Sequence, residues 1–175
     1  EVVPKQIPRR DIDPENFIQK LTQSISEKAG VDHFKTTLGG AIDEAIHGIE
    51  GHFREVEGIQ EPKFSEFQFR AVEQGLLDAL GYGGNGTVLV AGVGSGKTLG
   101  FMLAPLILAK SDMLENNRNY GAHLFLYPRK ALALDQFSKS LKPFAKAVGI
   151  PIGQVHSEMG KHYKSLPTSS VYKGI

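Results

Sequence analysis

Apolar residues first recur at helical spacing at Phe17, Ile18, Leu21 and Ile25, which share one face of a helix. The flanks agree: Asp13 is a good N-cap, Pro14 suits the first helical position, Glu15 is acidic in the first turn, and Gly30 can close the end. A second stripe follows at Leu38, Ala41, Ile42, Ala45, Ile46 and Ile49, with Gly39, Gly40 and Gly48 blurring its limits. Residues 1–12, which hold two prolines, read as an extended lead-in. Two such helices alone would leave an apolar face open, so they are expected to pack on the rest of the chain or on a partner.

From Pro62 the rhythm changes. Ser65 with Gln68 three residues on forms a capping box, opening a helix through Phe67, Ala71, Val72, Leu76, Leu77 and Leu80. Residues 81–86 (GYGGNG) are a loop, and Thr87–Ala91 is a short, partly β-branched run that predicts a strand buried on both faces. A glycine loop, an apolar helix over Lys97–Lys110 and a polar loop over Ser111–Gly121 come next. Further strands are predicted at His123–Tyr127 and Ile150–Val155, with a helix over Lys130–Val148 between them. Pro105 and Pro143 are expected to kink their helices, because each removes a backbone donor. This order implies an α/β fold with parallel strands and right-handed crossovers, preceded by a small helical extension. The division falls between residues 1–61 and 62–175.

Composition narrows the classes. Of 175 residues, 41% are hydrophobic and 22% charged, which excludes collagen-like and wholly disordered chains. No apolar run reaches the ~18 residues of a spanning helix, and the first residues lack a secretory core, so no membrane partner is expected. With no cysteine, disulfide scaffolds and thiolate metal sites are excluded, and an intracellular setting is the simplest expectation. The chain begins at Glu1 rather than Met, as an excerpt of a longer protein would. Its net charge of +1 hides an asymmetry: residues 1–61 hold seven Lys and Arg against twelve Asp and Glu. After Tyr127, eight basic residues face two acidic ones, a surface suited to phosphate, whereas the acidic extension suits a protein partner.

The chemistry concentrates at Ala91-Gly92-Val93-Gly94-Ser95-Gly96-Lys97-Thr98, a phosphate-binding loop pattern with Ala91 in place of the first Gly. Small residues let consecutive backbone N–H groups wrap an anion, and the following helix turns its positive end to the same phosphates. Lys97 can neutralise the β- and γ-phosphates of ATP, and the Thr98 hydroxyl can ligate Mg²⁺. Arg129 and Lys130 open a predicted helix at the end where cations oppose the dipole, a conflict that a phosphate partner removes. The pairs His47/His52 and His156/His162 lack a convincing metal-ligand spacing. Tyr82 beside the phosphate loop is expected to be a solvent-facing loop residue.

AGVGSGKT followed by LGFMLAPLIL resembles motif I of the superfamily 2 helicases of DEAD/DEAH type. Tyr127-Pro128-Arg129-Lys130-Ala131-Leu132, ending in Asp135-Gln136, is similar to their motif Ia, and Phe67-Gln68-Phe69-Arg70-Ala71 resembles their Q motif. The resemblance implies the early part of a RecA-like motor domain. Gly92 to Thr98 would then hold Mg-ATP, Lys97 and Thr98 would serve catalysis, and Gln68 would read adenine, be the capping partner of Ser65, or do both. Pro128, Arg129 and Lys130 would touch a single strand, DNA by the likeness of the Tyr-Pro and Asp-Gln ends. The resemblance also implies a cytoplasmic or nucleoid-associated helicase or translocase. The family's Asp-Glu motif would fall beyond Ile175, so this piece alone is not expected to turn over ATP efficiently. A nucleotide-dependent switch or scaffold built on the same loop is the competing class.

Overall fold

Asp13 caps the first helix as the sequence predicts, its Oδ1 accepting the Asn16 N–H at 2.8 Å. In the computed structural model, which describes residues 9–30, 36–84, 86–92, 94, 96–116 and 123–154, helix α1 spans Pro14–Ala29. It ends where Gly30, at φ 80°, donates its N–H to Ser26 O. Helix α2 spans Thr36–Glu55 and buries the predicted stripe from Leu38 to Ile49. The lead-in ends in a strand that the sequence did not announce: β1 (Arg10–Ile12) runs antiparallel to β2 (Phe64–Ser65). Arg10 lies opposite Ser65 and Ile12 opposite Phe64, so two steps of β1 match one of β2, a bulge.

Helix α3 (Glu66–Ala79) starts at the predicted capping box and buries Ala71, Val72, Leu76 and Leu77. Near its end the Asp78 carboxylate accepts bonds from Thr87 Oγ1 at 2.5 Å, Gln74 Nε2 at 2.8 Å and the Gly84 N–H at 3.0 Å. The Thr87 hydroxyl and then the Gln74 amide hold that carboxyl below its ordinary pKa, with burial opposing them. The clasp fixes the loop that leads to the phosphate-binding segment. Helix α4 (Lys97–Asn116) continues past Pro105 and takes in Ser111–Asn116, which polarity alone assigns to a loop. Met113 explains the extra turns, since it packs against the core.

The predicted parallel strands are not seen among the described residues. Among the described residues the only sheet is β1 with β2, and the segments 87–91, 123–127 and 150–154 form no ladder. Two of them also do not bury both faces: Val88, Val90, Leu124 and Leu126 are more than four-fifths exposed. Along 123–127 the alternate residues His123, Phe125 and Tyr127 are half-buried, and Phe125 meets Phe101 of α4 edge-on at 6.3 Å. Side chains thus pin one face of this segment to the helical layer while its backbone pairs with no strand among the described residues. Val155, the stretch 117–121 of the expected polar loop and the His156/His162 pair lie outside the described residues.

The predicted helix at 130–148 forms in three parts: α5 (Lys130–Gln136), a π turn (Phe137–Leu141) and α6 (Lys142–Val148). The Lys142 N–H reaches back five residues to Phe137 O, just before Pro143, whose missing donor breaks the regular ladder. All of α1–α4 and α6 contribute to one hydrophobic cluster, so the acidic helices pack on the remainder of the chain. Ion pairs stitch the same joints: Lys28 to Glu73 at 2.8 Å and Lys110 to Glu44 at 2.6 Å. Burial raises the pKa of Glu73, but the bonds from Lys28 and Ser24 outweigh it and hold the carboxyl below its usual value.

Gly48 of α2 sits where α6 crosses, and a Cβ there would run into the Ala147 carbonyl. In a free helix Gly→Ala adds about 1 kcal/mol of stability. Here the obstacle is backbone, so the helices must part, and overpacking of this kind costs about 1–3 kcal/mol. Gly48→Ala is therefore expected to lower stability, read as a fall in the urea midpoint; a rise would show that the crossing is loose.

Candidate nucleotide-binding site

Ser65 and Gln68 build the first part of the site. The Ser65 N–H donates to Gln68 Oε1 at 2.9 Å, and the Gln68 N–H donates to Ser65 Oγ at 3.2 Å. Capping uses the oxygen end of the Gln68 amide, and the nitrogen end donates to Gly96 O at 3.4 Å. Gln68 is only 2% exposed, so this side chain locks the start of α3 to the glycine loop. Gly100 of α4 lies at this meeting of the two helices, where a Cβ on it would make van der Waals contact with Ala71 and Phe67 of α3 at 3.4 and 3.5 Å.

Gly94 and Gly96 both have left-handed backbones, at φ 79° and 77°, which side-chain-bearing residues adopt at a cost. At Gly96 space adds a second demand, since a Cβ would collide with the Gln68 amide nitrogen. Lys97 heads α4 and folds over the loop, its Nζ donating to Ala91 O at 2.5 Å and Gly92 O at 3.0 Å. Thr98 follows, half-buried. The structure therefore brings together Gln68, Gly92, Gly94, Gly96, Lys97 and Thr98 of the predicted set; Val93 and Ser95 lie outside the described residues.

These residues fit a nucleoside triphosphate. The glycines have the conformations that an anion-wrapping loop requires, one cation sits over the loop, and the N-terminal end of a 20-residue helix begins there. The predicted strand-contacting residues form an exposed turn before α5. Pro128 and Arg129 face solvent, Lys130 is half-buried, and Arg129 occupies the N-cap position without a side-chain cap bond. Just before them the Tyr127 hydroxyl is buried with no hydrogen-bond partner among the described residues, and burial raises its pKa. Tyr82 is exposed, as the sequence suggests.

One neighbour of the loop was not legible in the sequence. Arg10 reaches Gly96 from β1: a Cβ on Gly96 would stand 3.7 Å from Arg10 Nη2. No spacing rule links it to the loop, and only the pairing of β1 with β2 carries it there.

A family model described as DEAD/DEAH box helicase matches residues 66–171. The chain belongs to the DEAD/DEAH box helicase family. Membership carries a RecA-like fold and, in general terms, ATP-dependent helicase function with Mg²⁺ and nucleic acid. The match opens on Glu66, the first residue of α3, so this helicase-family chain has Gln68, the phosphate loop and Pro128–Lys130 inside the matched region and β1, α1 and α2 before it. No curated protein and no solved structure matches the chain.

Proposed function

We propose that residues 62–175 are the nucleotide-binding part of an ATP-dependent helicase or translocase acting on single-stranded DNA, in a cytoplasmic or nucleoid-associated setting. The observation that carries this reading is the junction of Gln68, Gly96 and Lys97, where the adenine-reading candidate, the phosphate loop and its cation are bonded into one unit. Mg-ATP would lie on Gly92 to Thr98, with Lys97 on the β- and γ-phosphates and the Thr98 hydroxyl on the metal. Water activation and transition-state charge neutralisation would come from the rest of the motor, so this chain alone would bind nucleotide without efficient turnover. Residues 1–61 would serve as an acidic extension that also docks a protein partner.

The test is ATP hydrolysis by the complete protein with and without single-stranded DNA. Stimulation supports a motor; nucleotide binding with no response to nucleic acid would instead favour a nucleotide-dependent switch. Strand contact has its own expected result. Replacing Arg129 and Lys130 together by Ala should weaken single-strand binding equally for all sequences, since phosphate contacts carry no base information. The slope of log affinity against log salt should flatten by about one to two. Wild-type affinity and slope in the double variant would remove this turn from the contact surface.

A further inference from the structure

Arg10 lies outside the region matched by the helicase family, yet its guanidinium stands at the phosphate loop. Its position is set by backbone rather than by chance reach. Arg10 pairs with Ser65, the residue that caps α3 and binds Gln68, and Gln68 in turn holds Gly96. Ile12, buried at 6% exposure opposite Phe64, anchors the strand. The bulge between Arg10 and Ile12 departs from a regular ladder, a device that re-aims side chains beside functional sites. The guanidinium has no carboxylate partner among the described residues. Glu66, next to its strand partner, is already taken by Lys20 at 3.4 Å and Arg70 at 3.2 Å.

We infer that Arg10 is a nucleotide-contacting residue, pairing with the phosphates of a nucleoside di- or triphosphate held on the glycine loop. The inference rests on the nucleotide-binding reading above and adds to it a ligand supplied by the N-terminal extension. A planar guanidinium with several donors suits a phosphate oxygen pair. It also gives the extension a role in nucleotide affinity: folding residues 10–12 onto β2 completes the phosphate site.

The experiment measures binding of ATP, ADP and adenosine to the full chain by competition against a fluorescent ATP analogue. Arg10→Ala, Arg10→Lys and Lys97→Ala are compared with the wild type, and thermal unfolding without nucleotide confirms the fold. Arg10→Ala should weaken ATP and ADP about tenfold, the loss expected for one charge-assisted hydrogen bond. Adenosine should bind unchanged, and Arg10→Lys should recover part of the loss because it keeps the charge. Unchanged ATP affinity in Arg10→Ala, with binding lost in Lys97→Ala, would overturn the inference and leave the nucleotide site standing. An equal loss for adenosine would overturn it too, since the contact would then be to the base. Failure of the wild type to bind ATP would bring down the site itself, and Arg10 with it.

Discussion

Lys97→Ala is expected to lower ATP hydrolysis in the complete protein by at least about 10²–10³-fold, the usual effect of removing one donor from a charge-stabilising site. The fold should not notice. Among the described residues the Lys97 ammonium bonds to the Ala91 and Gly92 carbonyls, and the side chain is not part of the hydrophobic core. Alanine at the head of α4 also removes a cation from the positive end of the helix dipole, so the stability change should stay within about 0.5 kcal/mol. The check pairs steady-state ATPase with urea unfolding of the same preparation. Wild-type turnover in a folded Lys97→Ala protein would end the assignment of this loop. A large fall in stability would show instead that the lysine's bonds to the loop carbonyls are structural.

The second large effect concerns Phe17. This ring is fully buried in α1, 4.6 Å from the Phe64 ring and edge-on to Phe69 at 5.6 Å. Phe17→Ala should cost about 3–5 kcal/mol through lost burial and the cavity left behind. Natural domains hold only about 5–15 kcal/mol in total, so this one change removes a large share of the margin. Phe64 precedes the Ser65–Gln68 capping box directly, so the loss falls on the seam between the acidic extension and the nucleotide site. With one shared core, chemical denaturation should show a single transition moved to lower urea. Two transitions, only one of them moved, would instead mean that residues 1–61 fold as a separate unit.

What could be read from the sequence was local. Asp13, Gly30 and the Ser65–Gln68 box act over three or four residues, and each sits where spacing placed it. The apolar stripes of α1, α2 and α3 were equally plain, because helical periodicity states which face is buried. The glycine loop was legible for the same reason, as a run of adjacent residues, and Gly94 and Gly96 have left-handed backbones there. What was not legible is non-local. An apolar run such as Thr87–Ala91 announces extended backbone, but a ladder needs a neighbour in register, and no property of the run supplies one. The end of α4 was misread because Ser111–Asn116 is polar on average while Met113 packs against the core. Gln68 was half legible: its capping bond follows from spacing, but its bond to Gly96 depends on how α3 meets α4. Arg10 could not be found at all, since antiparallel pairing brings it to residues far along the chain.

The π turn at Phe137–Leu141 sets the angular phase of the whole 130–148 segment. Each α-helical residue advances about 100° around the axis, and a π turn inserts one residue that the regular helix would not hold. At its end Leu141 is buried, and downstream Phe144, Ala145 and Val148 are buried too, with Phe144 edge-on to Phe53 of α2 at 6.2 Å. Upstream, Arg129 and Pro128 face solvent and α5 buries no residue. If the inserted residue were removed, one end would have to turn by about 100° relative to the other. Either the apolar side of α6 would swing off the core, or the turn carrying Arg129 would point elsewhere. The irregular turn thus works as a phase shifter, letting one helical segment bury its far end while aiming its near end outward.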